Sequence, residues 1–237
     1  MVINPKESLT LLLAKNLKVR YLGENMEEYV ILVDQNDNPI GKEDKVKCHL
    51  PNGKLHRAFT ALIFNGDGKL LLTKRGDGKM LWPNDWDGTV ASHPRESETY
   101  VSSAERRMPE EIGIGCKMNY VNKFEYHVPY KDIGSENEIC GTLIGTVDSF
   151  DESSLIKDEI SEIKWIDPDE LKNELEENKD VYCPWMVIAL YFLADSDSNT
   201  LEKFNSLITK WASDDLKRVY ENAIKHYIPN NNWRLVT

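Results

Sequence analysis

Alternation of apolar and polar residues through the middle of the chain predicts several β-strands. The stretch "EYVILVDQNDNPIG" has the pattern of a strand, a turn rich in Asn and Asp, and a second short strand. In "KLHRAFTALIFNGDGKLLLTKR" two β-rich runs flank "NGDGK", whose glycines permit the positive φ of a tight return, so a hairpin is predicted. Further strands are predicted in "TVASHP", "MNYVNKFEYHV", "EICGTLIGTV" and "SEIKWID".

Helical periodicity replaces the strand pattern from Ser97, the expected N-cap of a helix that stops at Gly113. Pro109 lies in the last turns of this helix and should kink or tighten it, because it removes a hydrogen bond. Later, "PDELKNELEEN" predicts a helix opened by Pro and Asp, and "CPWMVIALYFLA" predicts a buried one. Two amphipathic helices are predicted near Leu201–Trp211 and Asp214–Tyr227.

Mixed strands with interspersed helices predict an α+β fold. We divide the chain into an N-terminal lead-in over 1–27, a main domain over 28–195, and a C-terminal helical extension over 196–237 that packs on the domain. The sequence contains neither internal repeats nor low-complexity tracts, so a repeat architecture is not expected.

Charge and cysteine content limit the class of protein. The net charge of −11 argues against a nucleic-acid partner, because the excess basic field that displaces counterions is missing. The four cysteines show no CxxC spacing, which indicates reduced thiols in a cytoplasmic protein. The apolar run near the N-terminus is too short for a signal peptide, and none approaches the roughly 20 residues of a membrane span.

Charged residues at fixed spacing follow the "TVASHP" strand. Starting at Ser92, the pattern resembles the Nudix box G-x5-E-x7-R-E-U-x-E-E-x-G-U, where U is apolar. In such a box, carboxylates one or more helical turns apart hold Mg²⁺ against a diphosphate. The matching residues are Glu98, Arg106, Glu110, Glu111, Gly113 and Ile114. Ser92 and Arg107 depart from the pattern, and a solvated acidic helix is the alternative reading.

Three of the five histidines and two glutamates form a second candidate set. His49 and His56 flank a turn, and His93 belongs to a later strand. Glu136 and Glu138 are two residues apart on a strand, so their side chains share a face. A single histidine is more often a surface or capping residue, but this combination suits a divalent transition or borderline metal.

Together these motifs resemble the type I isopentenyl-diphosphate delta-isomerases, which shift a double bond between isopentenyl and dimethylallyl diphosphate. The resemblance covers about Glu28 to Asp195 and includes "CHLPNGKLHRAF", "FNGDGKLLLTKR", "LWPNDWDGTVASHP", "FEYHV", "ENEIC" and "CPWM". It implies a Nudix-type α/β/α sandwich with a mixed sheet, to which the C-terminal helices are an addition.

The resemblance also implies roles for individual residues. One divalent ion, Mn²⁺, Zn²⁺ or Mg²⁺, would be held by His49, His56, His93, Glu136 and Glu138. Glu111 would reach a Mg²⁺ that bridges to the diphosphate. Phosphate oxygens would be gripped by Lys45, Arg75, Lys79 and Arg107.

The carbon chemistry implied by the resemblance needs an acid, a base and a surface for a cation. Tyr126 and Glu138 occupy acid/base positions. Trp185 corresponds to the indole that faces a tertiary carbocation, an interaction worth about 2 kcal/mol when desolvated. The alternative for Trp185 is an ordinary core residue of an apolar helix.

One part of the family's machinery is missing, because Ala91 stands where the isomerases place a proton-transferring cysteine. Gly88 and Ser92 depart as well, which disfavours a single engineered substitution. Thr89 is expected to share a strand face with Ala91 and His93. We therefore expect Thr89 or a water molecule to take the proton, as a weaker base than thiolate.

The resemblance makes isomerisation of isopentenyl diphosphate the first expectation. Hydrolysis of a prenyl or nucleoside diphosphate is the second, because the pair Glu110 and Glu111 retains what Nudix hydrolases use. Non-catalytic binding of a prenyl diphosphate is the third. In each case the expected partner is a small molecule, with neither nucleic acid nor a membrane span, and the chain is expected to be a monomer or homodimer.

Overall fold

A mixed sheet forms the centre of the computed structural model, which describes residues 28–148, 150, 159–193 and 201–237. The predicted lead-in over 1–27 lies outside the described residues. The strands are β1 Tyr29–Val33, β2 Pro39–Asp44, β3 His56–Phe64, β4 Leu70–Arg75, β5 Trp86–Asp87, β6 Val90–Ser92, β7 Asn119–Tyr130, β8 Gly134–Thr146, β9 Ile160–Ile166 and β10 Trp233–Val236. Every strand predicted from alternation within this part of the chain is confirmed.

The long strands run in the order β10-β7-β8-β3-β1-β2, and β4 and β6 also pair with β3. The β3–β8 ladder is parallel along its whole length, whereas β7–β8 and β10–β7 are antiparallel. Parallel strands need a crossover connection. Here the chain between β3 and β8 supplies several strands and a long helix, so residues far apart in sequence meet at one end of the sheet.

Helices cover both faces of the sheet. They are α1 Lys45–His49, α2 Tyr100–Ile112, α3 Pro168–Asn178, α4 Pro184–Leu193, α5 Asn205–Trp211 and α6 Asp214–Tyr227, with 3₁₀ turns at Lys179–Val181 and Glu202–Phe204. One apolar core joins the sheet to α2, and a larger one joins the opposite face to α3, α4 and α6. This arrangement is an α/β/α sandwich, and it confirms the predicted fold class.

Helix α2 begins two residues later than predicted. Thr99, not Ser97, is the N-cap: its hydroxyl accepts from the Ser102 amide at 3.1 Å, and the Ser102 hydroxyl accepts from the Thr99 amide at 2.9 Å. This reciprocal pair satisfies two amides that a helix start leaves open. The predicted stop is confirmed, because Gly113 has the left-handed φ of 74° that ends the helix.

The predicted hairpin forms, but its strands separate almost at once. β3 and β4 pair only at Phe64 and Leu70. Thr89 fills the fork, where its hydroxyl accepts from the Ile63 amide at 2.9 Å and donates to the Leu71 carbonyl at 2.7 Å. Because β4 leaves β3, one edge of β3 is open and pairs with β6. The other edge of β3 pairs with β8, so β3 lies between β6 and β8.

The C-terminal residues contribute to both the helical layer and the sheet. α6 packs against α3 and α4. The final strand pairs with β7, with Trp233 opposite Tyr126 and Val236 opposite Lys123. The sequence predicted helices here and missed this strand. Within the described ranges, every helix is too short or too polar to cross a bilayer.

Candidate active site

A cavity opens where β3, β6 and β8 meet α1 and α4. Its volume is about 720 Å³ counted with the open mouth. The lining residues are Lys45, Val46, His49, Ala58, Phe59, Arg75, Lys79, Met80, Leu81, Ala91, Ser92, His93, Tyr126, Glu136, Glu138, Cys140 and Trp185. Most of the residues singled out from the sequence therefore line one space.

Three imidazoles and a carboxylate converge at this cavity, and we name them the His/Glu cluster: His49, His56, His93 and Glu138. His49 ends α1, and His56 opens β3 opposite Glu138 on β8. The His56 Nε2 atom lies 3.3 Å from Glu138 Oε1 and 3.2 Å from His93 Nε2. One potential ligand atom from each of the four lies within 4.8 Å of the others, a spacing that fits a shared divalent ion.

Backbone carbonyls orient two of these rings. His49 Nδ1 lies 2.6 Å from the Lys45 carbonyl, and His56 Nδ1 lies 2.7 Å from the Lys54 carbonyl. An N–H donated at Nδ1 leaves Nε2 as a lone-pair donor toward the centre, the arrangement that metal-binding histidines use. Glu136 lies beside the His/Glu cluster, with Oε2 3.0 Å from His49 Nε2 but not aligned for a hydrogen bond.

The electrostatic environment favours the metal-binding forms of His93 and Glu138. Burial lowers the pKa of His93, and the cationic neighbours Lys45 and His56 lower it further. Burial would lower the pKa of His56 as well, but hydrogen bonds and charges of Cys48 and Glu138 together raise it, so metal binding there would displace a proton. Burial would raise the pKa of Glu138, but the hydrogen bonds from His56 and Tyr126 and the charge of His56 together outweigh it and lower that pKa. A neutral imidazole and an ionised carboxylate are the forms that bind metal. The donor set therefore fits a divalent cation.

Tyr126 is the closest proton donor to the His/Glu cluster. Its hydroxyl donates to Glu138 Oε2 at 2.6 Å, because β7 and β8 bring the two residues into register. Burial and the Glu138 carboxylate raise the pKa of Tyr126 well above its ordinary value. The phenol therefore retains its proton, and the pair stores one proton at the cavity wall.

Trp185 also lines the cavity, at the start of α4, with its ring centre 6.5 Å from that of Tyr126. Its indole Nε1 donates to Asp87 Oδ1 at 2.7 Å, and Arg75 Nη1 donates to Asp87 Oδ2 at 3.1 Å. The Arg75 guanidinium lies 5.2 Å from the Trp185 ring centre. The sequence reasoning did not assign Asp87. Its signal is a charged residue at the start of the buried stretch "DGTV".

The predicted phosphate-binding cations divide into two groups. Lys45, Arg75 and Lys79 line the cavity. Arg107 is not among the lining residues; its Nε donates to the Glu111 carboxylate at 2.9 Å on α2. The structure thus brings most of the predicted site residues together and leaves Arg107 and Glu111 outside the lining, while His56 is fully buried behind it.

Ala91 lines the cavity in register with Thr60 of β3. The expectation that Thr89 lies beside it as a proton acceptor is wrong. Both hydrogen-bonding roles of the Thr89 hydroxyl are taken by the fork between β3 and β4, away from the lining. Cys140 does line the cavity and was not assigned from the sequence. Its signal is a position two residues after Glu138, on the same strand face.

Comparison with known proteins agrees with this geometry. Residues 54–186 match the NUDIX domain family, so the fold and site define a Nudix-class protein. The crystal structure of DR0079 from Deinococcus radiodurans covers 68% of this chain and 97% of its own, with a TM-score of 0.54 at 18% identity, a likeness of fold.

Isopentenyl-diphosphate delta-isomerase from Halobacterium salinarum is 38% identical over 188 residues, covering 74% of this chain and 85% of its own. Isopentenyl-diphosphate delta-isomerase 2 from Photorhabdus laumondii is 35% identical over 184 residues, covering 77% of this chain and all of its own (100%). The chain belongs to the type I isopentenyl-diphosphate delta-isomerase family, an enzyme family within the Nudix superfamily.

Proposed function

We propose that the protein isomerises isopentenyl diphosphate to dimethylallyl diphosphate. The observation that carries this proposal is the grouping of a metal-competent cluster, a Tyr126–Glu138 proton pair and the Trp185 indole around one cavity. A hydrolase needs no indole beside a buried proton donor. The names of the relatives support the same reaction.

Two divalent ions complete the proposed site. The His/Glu cluster, with Glu136 beside it, would hold an Mn²⁺, Zn²⁺ or Mg²⁺ ion, which supplies positive charge that fixes and polarises the carboxylate. Glu111 is the proposed ligand of a Mg²⁺ at the diphosphate. The proposed phosphate-binding residues are Lys45, Arg75, Lys79 and Arg107.

In the proposed reaction the Tyr126–Glu138 pair gives a proton to the terminal alkene carbon. The π electrons form the new C–H bond and leave a tertiary carbocation facing Trp185. A C–H bond on the neighbouring carbon then breaks, and its electrons close the new double bond. The departing proton goes to water beside Ala91, because neither the alanine methyl nor the bonded Thr89 hydroxyl can take it.

Deuterium labelling tests this reaction against its alternatives. The protein is incubated with isopentenyl diphosphate in D₂O, with Mg²⁺ or Mn²⁺, and both label uptake and phosphate release are followed. Deuterated dimethylallyl diphosphate is the expected product. Phosphate release without label would identify a hydrolase, and tight binding with neither signal would identify a non-catalytic binder.

Restoring the thiol should accelerate the reaction. Since a positioned general base contributes roughly 10²–10⁴-fold, Ala91→Cys should raise kcat by at least about 10-fold over the wild type. Ala91→Ser is the matched control, because it adds a group of similar size without a comparable base. Equal rates in the two variants would show that position 91 does not touch the reacting carbon.

Removing one imidazole should release the ion of the His/Glu cluster. His93→Ala is expected to weaken Zn²⁺ or Mn²⁺ binding by more than about 100-fold, since even partners of metal ligands cost 10- to 100-fold. Isothermal titration calorimetry measures this loss. His226→Ala is the control, because His226 is exposed and pairs with Asp180 far from the cavity. Unchanged affinity in His93→Ala would contradict the metal site.

Hydrolysis has less support than isomerisation. The Glu110 carboxylate, which a hydrolase would use with Glu111, accepts hydrogen bonds from Arg106 at 2.9 Å and from Arg107 at 3.0 Å. Both arginines bind the same oxygen, Oε2, which a hydrolase would need for its metal ion or its water. The cytoplasmic location and the monomeric or homodimeric state stay predictions.

A further inference from the structure

Asp87 is a buried carboxylate that lies behind the cavity wall, 3% exposed and not among the lining residues. It belongs to the two-residue strand β5, which pairs with Thr73 and Lys74 of β4. The backbone amide of the following residue, Gly88, donates to Asp87 Oδ1 at 2.7 Å. The carboxylate is therefore held from its own backbone and has little freedom to move.

Both oxygens of Asp87 bind groups that do reach the cavity. Oδ1 accepts from Trp185 Nε1 at 2.7 Å, and Oδ2 accepts from Arg75 Nη1 at 3.1 Å. An indole N–H has a single direction, so this hydrogen bond fixes the rotation of the ring about its side-chain torsions. The ring is 3% exposed, and a residue 98 positions earlier in the chain sets its orientation.

Arg75 adds a second restraint. Its Nε donates to the Trp82 carbonyl at 3.0 Å, and its Nη2 donates to the Leu81 carbonyl at 3.0 Å. The guanidinium stays 5.2 Å from the Trp185 ring centre. A positive charge this close to the indole would oppose a second cation at the same ring unless a carboxylate neutralised it.

We propose that Asp87 is a positioning residue that orients the Trp185 indole and neutralises Arg75 beside it, so that the ring can face a substrate cation. This inference rests on the proposed function. Asp87 contacts no reacting atom and acts through Trp185 and Arg75. Burial raises the pKa of Asp87 to about 6 although Arg75 opposes the rise, so the carboxylate is ionised at neutral pH.

A double-mutant cycle between Asp87→Asn and Trp185→Phe tests the coupling. Asparagine keeps an acceptor for the indole but removes the charge, so kcat should fall by roughly 10- to 100-fold while KM changes little. In the Trp185→Phe background the same substitution should cost less than about 3-fold, since phenylalanine has no N–H for Asp87 to orient and binds a cation more weakly than indole, so that neutralising Arg75 beside it matters less. Equal losses in both backgrounds would overturn the proposal.

Asp37→Asn is the matched structural control. Asp37 is a partly buried aspartate with a side chain 8% exposed, and it binds Arg57 at 2.7 Å and Tyr100 at 3.1 Å outside the cavity lining. Its substitution should lower the melting temperature yet leave kcat within about 3-fold and show no coupling to Trp185→Phe. Coupling as large as that of Asp87 would mean that the effect is a general loss of packing.

A readout independent of turnover separates this inference from the isomerase proposal. The indole N–H resonance of Trp185, assigned by its absence in Trp185→Phe, should move upfield and exchange faster with solvent in Asp87→Asn. Inorganic pyrophosphate, used as a probe, should perturb that resonance less in the variant. If the wild type were inactive but the Trp185 resonance still moved in Asp87→Asn, the isomerase proposal would be rejected and the positioning role of Asp87 retained. An unmoved resonance in Asp87→Asn would refute the positioning role.

Discussion

Several titratable side chains at the cavity are buried, and they contact partners on other elements. His56 is fully buried on β3, yet it faces His93 beyond β6 and Glu138 on β8. Isolated buried charges are costly and commonly become neutral, unless partners or a metal compensate. A structural core would replace such groups with apolar ones, so their concentration at one end of β3 argues for chemistry.

The buried charge of Asp87 should make the free energy of unfolding depend on pH. Its pKa is about 6 in the folded protein against 3.8 as the ordinary value, so the folded state binds the proton more tightly. The contribution of Asp87 to the free energy of unfolding should therefore fall by about 3 kcal/mol as the pH rises from about 3 to 7, and it is constant above the folded pKa.

Asp87→Asn removes that titration. Urea unfolding of wild type and variant should show the variant gaining about 3 kcal/mol relative to the wild type between pH 3 and pH 7. Loss of the Arg75 partner adds a penalty to the variant, but that penalty changes little with pH because Arg75 stays charged. A constant difference between the two proteins across this range would contradict a raised pKa at Asp87.

At the scale of elements, one face of β8 lines the cavity and its other face packs against α2. Glu136, Glu138 and Cys140 face the cavity. Gly141 faces the other way, where a Cβ atom would lie 2.5 to 2.9 Å from ring atoms of Tyr100, the first residue of α2. The glycine therefore allows the start of α2 to pack close against the sheet.

Gly141→Ala should destabilise the protein by about 1–3 kcal/mol, since overpacking displaces a ring that has little room to move. Tyr100 cannot swing away freely, because its hydroxyl donates to Asp37 at 3.1 Å. Gly115→Ala is the control, since nothing lies within 4 Å of its added methyl group. Thermal melts that showed equal stability for the two variants would contradict this close approach.

Elements whose signal is local could be predicted from the sequence. The β3–β4 turn, the stop of α2 at Gly113 and the buried helix α4 each follow from a few neighbouring residues. The His/Glu cluster and Trp185 were named only through spaced motifs and a family resemblance. Periodicity alone does not state which strands become neighbours.

The sequence predictions that were wrong or missing concern features that depend on contacts with other parts of the chain. The alternation of the strand places Thr89 on the cavity side, but β3 and β4 separate there. The Thr89 side chain lies between them and bonds to the backbone of both strands. Ser97 and Thr99 are both capping residues, and only the partner at Ser102 selects between them. The strand β10 has four residues, and its pairing depends on β7 more than a hundred positions earlier.

On the scale of the whole molecule, α4 is enclosed by the sheet and the C-terminal helices. Nine of its ten residues are buried, including Trp185 at its start. A helix that is apolar on all sides needs cover on all sides. α6 supplies the outer cover, because α4 and α6 are among the most closely packed helix pairs in the described structure.

Removal of residues 201–237 should therefore unfold the cavity and not merely trim the molecule. The five buried residues of α6 contribute about 1.5–3 kcal/mol for each large side chain, on the order of 10 kcal/mol together, which is comparable with the 5–15 kcal/mol of a whole domain. The truncated chain should lose its cooperative melt and bind a hydrophobic dye. Arg234→Ala is the control, because its exposed pair with Glu125 contributes less than about 1 kcal/mol. A truncated chain that melts as sharply as the full one, with Trp185 still shielded, would make the C-terminal segment a separable extension.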